Sequence, residues 1–262
     1  MKRVAKMAAV LLLAQVLMFS QTGWAWNPTE FQPRPIPMGV SISTTPSEPY
    51  IFAGTAGMRV RSLFAPNIKF ILSNNHVIGA VGPTLCPDKA PLGTWVLQPG
   101  TLDIGEDPGN DPFYLVGLKF LQVPIDFAPG ASNLVDAALA FTVPSLAGNT
   151  ILDLGGPPAP EFALALPGME VIKSGRTTGV TEGTVQAINV TAFVSYDGCG
   201  TARFVKQVIV TPGSFSGPGD SGSVVLEKST MKPVGLLFAG SPLQTIMNHI
   251  LFVYLSLGVF VD

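Results

Sequence analysis
Short apolar runs separated by turn-forming residues fill most of this chain. In the first half they read "AGTAGMRVRSL", "IKFILSNNHVIG", "GTWVLQPG", "FYLVGLKFLQV" and "VDAALAFTV". A second set follows: "MEVIKSG", "GTVQAINVTAFVSY", "ARFVKQVIVTP", "SGSVVLEK" and "KPVGLLFAG". Each run is rich in β-branched or aromatic residues and is bounded by Gly, Pro, Asn or Asp, the pattern of strands between turns. Between the sets lies a loose stretch rich in Gly and Pro, "PSLAGNTILDLGGPPAPEFALALPG". Two strand sets around such a connector predict a mainly β protein made of two barrels packed side by side. The barrels are expected at 51–143 and 169–241, with 144–168 as the linker.

Three segments depart from this pattern. Residues 26–50, "WNPTEFQPRPIPMGVSISTTPSEPY", are proline-rich without a period and predict an extended arm or short pro-segment. In the tail, 242–262, Leu243, Ile246, Ile250 and Val253 fall at helical spacing and predict a C-terminal helix docked by its apolar face. Its apolar run after His249 falls short of the roughly 20 residues of a membrane span. Residues 1–25 have a basic start, an apolar stretch from Ala8 to Phe19, then small residues at Gly23 and Ala25. That is the layout of a secretory signal cleaved after Ala25, which predicts a secreted or periplasmic protein with no stable membrane span.

Composition narrows the partners. Of 262 residues, 47% are hydrophobic and only 12% charged, which excludes a disordered or nucleic-acid-wrapping chain. Losing Lys2, Arg3 and Lys6 with the signal takes the formal charge from −2 to −5. Such a surface has no electrostatic attraction to nucleic acid or anionic lipid. Cys86 and Cys199 are the two cysteines. An oxidising compartment permits a bridge between them, and the spacing leaves open whether they meet. Two cysteines and two histidines, none closely spaced, fit no usual zinc pattern. No metal or cofactor is expected.

The candidate chemistry starts from "GPGDSGS", where Ser221 stands between Asp220 and Gly222 on a glycine-rich loop that leads into a strand. A hydroxyl is a poor nucleophile until a base takes its proton, and histidine suits that task near neutral pH. His76, at the end of the apolar strand in "FILSNNHVIG", is the candidate base; His249 sits in the expected tail helix and reads as a surface or helix-end residue. The base needs a carboxylate to fix its tautomer. Asp136 heads the otherwise apolar run "VDAALAF", where an unpaired charge is expensive. Asp103, Asp107, Asp111 and Asp126 lie in polar or proline-rich loops and need no such explanation. If the serine loop folds back, the N–H groups of Gly219 and Ser221 point at one spot and form an oxyanion hole. A turn that merely needs glycine explains the loop equally well when it is taken alone.

Taken together, "LSNNHV", "VDAALAF" and "PGDSGS", in that order, resemble the histidine, aspartate and serine motifs of trypsin/chymotrypsin-like serine proteases of the bacterial branch. The first is similar to the HtrA-like members. A fourth segment, "VIKSGRTTGVTEGTV", is similar to the strand pair that opens the second barrel of streptogrisin-like enzymes. The resemblance implies two six-stranded antiparallel β-barrels of the chymotrypsin type with the site in the cleft between them. It also implies an exported serine endopeptidase, acting on a polypeptide substrate through an acyl-enzyme with His76, Asp136 and Ser221 as the triad. Ser223 stands where many members have a second glycine, and the long loops at 81–114 depart from the family pattern. The family's primary pocket falls here on Phe215 at its base, where plain core is the other reading of that ring, and on Phe238, Ala239 and Gly240 along its wall. No acid stands where a trypsin-like pocket holds one, so apolar or small side chains are expected at P1. A non-catalytic binding or adhesion protein on the same fold, or an esterase with the same triad, is the alternative.

Overall fold
The computed structural model describes residues 27–45, 51–81 and 86–262. The secretory-signal expectation falls on residues 1–25, outside the described ones. In chain order the first half holds strands β1 (Ile36–Met38), β2 (Ser41–Thr44), β3 (Gly54–Thr55), β4 (Met58–Ser62), β5 (Lys69–Ser73), β6 (Trp95–Leu97), β7 (Leu115–Gln122), β8 (Ala138–Thr142) and β9 (Ala147–Ile151). The second half holds β10 (Glu170–Gly175), β11 (Gly179–Tyr196), β12 (Gly200–Thr211), β13 (Val224–Glu227), β14 (Pro233–Gly240), β15 (Thr245–His249) and β16 (Val259–Val261). Short α-helices lie at α1 (Asn75–Ile78), α2 (Thr101–Ile104) and α3 (Ile250–Leu257).

The second half closes into the expected barrel of six antiparallel strands, in the order β10-β11-β12-β15-β14-β13. Its inward residues, among them Val171, Val185, Val208, Val210, Val225, Leu237 and Met247, fill the interior. The first half, where a six-stranded barrel is expected, is an eight-stranded sheet, β16-β4-β5-β8-β7-β6-β2-β3, because β2 and β16 join the six strands within 51–143. It rolls up because β3, at one edge, continues within two residues into β4, next to the other edge. The bond from the Ala56 N–H to the Val40 carbonyl, 2.9 Å, ties that corner to the chain entering β2. Met58, Val60, Ile71, Leu72, Leu139 and Ala140 then pack inside it, fully buried. Each large apolar side chain buried this completely stabilises by about 1.5–3 kcal/mol before its lost entropy is counted.

Two segments differ from the sequence expectation. The proline-rich stretch is no mere arm: Ile36, Met38, Val40 and Ile42 are fully buried, β1 pairs in parallel with β9, and β2 pairs with β3 and β6. Pro33 and Pro35 lead into β1 and Pro37 lies within it, and the strands are too short to show a period. The tail helix is confined to Ile250–Leu257. Ile246, read at helical spacing, belongs instead to β15 and pairs with Ile209 of β12 and Ala239 of β14. Partners on both sides outweigh a weak helical pattern, since strand preference is decided largely by the neighbours across the sheet. Beyond α3, β16 returns to the first sheet and pairs with β4.

The hairpin β11–β12 is longer than the barrel needs. Its register shifts between Val185 and Ala192, and the outer arm, Ala192–Tyr196 against Gly200–Phe204, leaves the barrel wall and reaches the first half. The Asn133 N–H donates to the Arg203 carbonyl and the Val205 N–H to the Asn133 carbonyl, both 2.9 Å. At the hairpin tip Cys199 is bonded to Cys86, which settles the open question of their pairing. Among the described residues no helix is long and apolar enough to cross a membrane.

Candidate active site
The cleft between the halves gathers His76 and Asp136 from the first and Ser221 from the second. Chain leaves β5 at Ser73 and turns at once into the single helical turn α1, which puts His76 at the cleft rim with 22% of its side chain exposed. Asp136, just ahead of β8, is fully buried. Its Oδ2 lies 2.6 Å from His76 Nδ1, and its Oδ1 accepts the His76 backbone N–H at 3.2 Å. The carboxylate thus grips the histidine by ring and backbone at once, which fixes the ring's orientation and leaves Nε2 turned to the cleft.

Other groups hold Asp136 in turn. The Asn74 amide donates to its carbonyl at 2.7 Å, the Tyr196 hydroxyl donates to Oδ2 at 2.8 Å, and its own N–H donates to Asn248 Oδ1 at 3.0 Å. Tyr196 and Asn248 belong to the second half, so the seam between the halves is where this aspartate is fixed. Asn248 is itself held by the Gln207 side chain at 2.8 Å.

Ser221 lies on the loop between Gly217 and Ser223. Gly219 has φ +101° and Gly222 φ +97°, conformations that side chains rarely adopt. A Cβ at Gly222 would stand 2.3 Å from the Thr55 carbonyl oxygen, and one at Gly219 2.5 Å from Thr177 Oγ1. Both glycines of "GDSG" are therefore dictated by backbone and by space. The loop's turn comes from Asp220, whose carboxylate points inward and is fully buried. It accepts the N–H groups of Thr177 (2.8 Å), Thr178 (3.2 Å) and Gly217 (2.9 Å) and the Thr178 hydroxyl (2.7 Å). Lys173 Nζ, also fully buried, completes an ion pair at 3.4 Å. Desolvation lowers the Lys173 pKa, and the charge of Asp220 opposes the shift.

With Asp220 turned away, the loop's backbone faces the cleft. The Thr177 hydroxyl donates to the Pro218 carbonyl at 2.7 Å, which points that carbonyl, and hence the Gly219 N–H on the other side of the peptide, in set directions. Among the described residues neither the Gly219 nor the Ser221 N–H donates to a protein acceptor. Thr55 of the first half anchors the loop from behind, its N–H to the Ser221 carbonyl at 2.8 Å and its hydroxyl to the Gly219 carbonyl at 2.9 Å. His76 and Ser221 line one cavity of about 420 Å³ together with Gly219, Tyr196 and Phe238. Among the described residues no hydrogen bond joins the two side chains; such contacts often tighten only when substrate fills the site.

Of the residues expected around a primary pocket, Ala239 and Gly240 line a second cavity of about 510 Å³ next to Ser221, with Gly213, Ser216, Gly217 and Leu237. Phe238 faces the His76 cavity instead. Phe215 lines neither: it is 1% exposed, packed in the second barrel's core with Lys173 5.9 Å above its ring. Its backbone passes near the pocket, but the ring turns inward because the barrel's interior offers it apolar partners. Sequence reasoning also missed Lys173, Tyr196 and Asn248. Lys173 carried the same signal as Asp136, a charge inside the apolar run "MEVIKSG"; nothing in "VSYDG" or "IMNHI" marks the other two. Asp103, read as an ordinary loop acid, in fact accepts both Arg176 and the Ser41 hydroxyl and ties α2 to the segment beside Gly219.

A closed β-barrel and a rolled β-sheet meeting at this cleft define the chymotrypsin fold. The solved structures agree. Nocardiopsis protease matches with a TM-score of 0.56 at 19% identity over 87% of this chain and 99% of its own. A glutamic acid-specific serine protease that uses a histidine triad in substrate binding matches with a TM-score of 0.56 at 21% identity, over 87% of this chain and 100% of its own. Cellulomonas bogoriensis chymotrypsin gives 0.55 at 17%, over 87% and 98%. The chain thus has the fold of the bacterial chymotrypsin-like serine proteases. No protein-family model matches it, and no curated protein matches it in sequence.

Proposed function
We propose that the protein is an exported serine endopeptidase with His76, Asp136 and Ser221 as its triad. The observation that carries the reading is the His76 Nδ1–Asp136 Oδ2 contact of 2.6 Å at a cleft that Ser221 also lines. His76 Nε2 takes the Ser221 proton as the hydroxyl oxygen attacks the peptide carbonyl carbon. The resulting oxyanion is received by the Gly219 and Ser221 N–H groups, a contribution of about 3–4 kcal/mol per donor in enzymes where it has been measured. The imidazolium then gives its proton to the leaving amine, and water repeats the sequence on the acyl-enzyme.

The cavity beside Ser221 is lined by Gly213, Gly217, Ala239, Gly240 and hydroxyl-bearing residues, with no charged side chain. That supports small or apolar side chains at P1. The outer edge of Phe238–Gly240 lies beyond the last β13 pairing, at Leu236, which leaves it free to pair with an extended peptide. The Cys86–Cys199 bridge fits an oxidising compartment and so supports export.

A fluorophosphonate probe tests the reading. It is expected to label the parent and to spare Ser221→Ala and His76→Ala, and Ser221→Ala should lower turnover of peptides with small apolar P1 residues by about four to six orders of magnitude. A parent that is neither labelled nor active on peptides would favour a binding role, and one that turns over esters alone would favour an esterase.

A further inference from the structure
Triad chemistry leaves one buried side chain at the site without a task. Tyr196 is 8% exposed, and its hydroxyl meets the same Asp136 oxygen that His76 Nδ1 meets. Asp136 has no access to water, so the donors around it are all that balance its charge. Burial, and then the Asp136 charge, push the Tyr196 phenol far above its ordinary range. The phenol therefore remains a donor throughout the pH range in which histidine acts as a base. Its ring also stands edge-on to His76, with 5.9 Å between centroids, and to Phe127 at 5.6 Å.

What places Tyr196 is the outer arm of the β11–β12 hairpin, of which it is the last residue before the turn. The Cys199 N–H donates to the Tyr196 carbonyl at 2.9 Å, and Cys199 is bonded to Cys86 of the first half. Two residues beyond Cys86, Asp88 accepts the Asn75 amide at 2.6 Å, directly beside His76. The bridge therefore joins the loop behind the histidine to the arm that carries the tyrosine.

We propose that Tyr196 is a positioning residue for the triad: its phenol orients the Asp136 carboxylate and shares its charge, and the Cys86–Cys199 bridge keeps the phenol in register. This rests on the serine-protease reading and extends it to a fourth side chain supplied by the opposite half of the molecule. A hydrogen bond to a buried charge is stronger than a neutral one, and its loss is felt at the group it orients.

Tyr196→Phe keeps the ring and removes the donor. The expected result is a fall in kcat of about tenfold or more with KM within about twofold, as a lost charged hydrogen bond predicts. The acidic limb of the pH profile should move to higher pH, because a carboxylate without the phenol holds the imidazolium more strongly. The titratable groups around the pair are Asp88 and, at the cleft rim, Asp197. Neither is altered by the substitution. The proton NMR resonance of His76 Nδ1–H should shift as well, a readout that simple loss of packing would not give. Cys86→Ser with Cys199→Ser should lower kcat in the same sense and add little on top of Tyr196→Phe; an additive result would overturn the tether. Unchanged kcat, pH profile and resonance in Tyr196→Phe would overturn the proposal. The resonance needs no turnover: an inert parent would sink the protease reading, and the presence or absence of the shift would still decide the role of Tyr196.

Discussion
The two sides of the cleft are fixed by different chemistry. On the His76 side, the buried Asp136 carboxylate meets the Tyr196 hydroxyl, the His76 backbone N–H and the His76 ring, and among the described residues no lysine or arginine pairs with it. On the Ser221 side, the buried Asp220 is matched by a buried cation, Lys173, as well as by backbone N–H groups and the Thr178 hydroxyl. Under the triad proposed above, the difference suits what each carboxylate would do. A permanent cation beside Asp136 would compete with His76 for its charge. Asp220 has to stay put so that the loop's own N–H groups face the cleft, and full neutralisation serves that end. The anchors also cross the seam: Tyr196 and Asn248 of the second half hold Asp136, while Thr55 of the first holds the Ser221 loop.

The contrast can be broken most forcefully at Lys173. Lys173→Met leaves Asp220 buried without its counter-ion and is expected to destabilise the fold by about 3–5 kcal/mol, read from urea unfolding. The loop it anchors should loosen, so probe labelling of Ser221 should fall even in protein that remains folded. Loss of stability below about 1 kcal/mol would mean that the backbone N–H groups alone suffice for Asp220.

On the neutral side the expected effect is smaller. Asn248→Ala strips the Asp136 N–H of its acceptor and leaves the Gln207 carbonyl oxygen without its donor. A cost of about 1–3 kcal/mol is expected from unsatisfied buried polar groups. Equal losses at Lys173 and Asn248 would erase the distinction drawn between the two sides.

A site outside the cleft sets the lower end of the scale. Asp262 pairs with Arg59 at 2.6 Å and with Lys69, clamping β16 to the first sheet. Burial alone would raise its carboxyl, but Lys69 and Arg59 outweigh that and hold it below the ordinary value. The pair therefore adds stability above the pKa of an unfolded aspartate, and the gain is lost as pH falls through the folded value. Asp262→Asn should cost at most about 1 kcal/mol near neutral pH and nothing in strong acid, by thermal unfolding at both. A loss that persists in acid would show that the aspartate acts through packing rather than charge.

How far the sequence could be read depends on what kind of information each feature needs. The strand runs, their turns and the order His76, Asp136, Ser221 follow from local composition and from the cost of placing charge or glycine in apolar strands. Those local rules carried the fold class and named the three residues that the cleft brings together. They failed wherever a partner distant in sequence decides the outcome. Ile246 became a strand residue because two strands flank it, Phe215 turned into the core because the barrel interior receives it, and Ile36 and Met38 were drawn from a proline-rich stretch into the first sheet. The partners of Asp136, and the joining of Cys86 to Cys199 that the spacing left open, depend on such distant partners too. A phenol, an amide or a thiol gains its meaning only from the atom it meets, and that meeting is fixed by how the two halves close on each other, not by any neighbour along the chain.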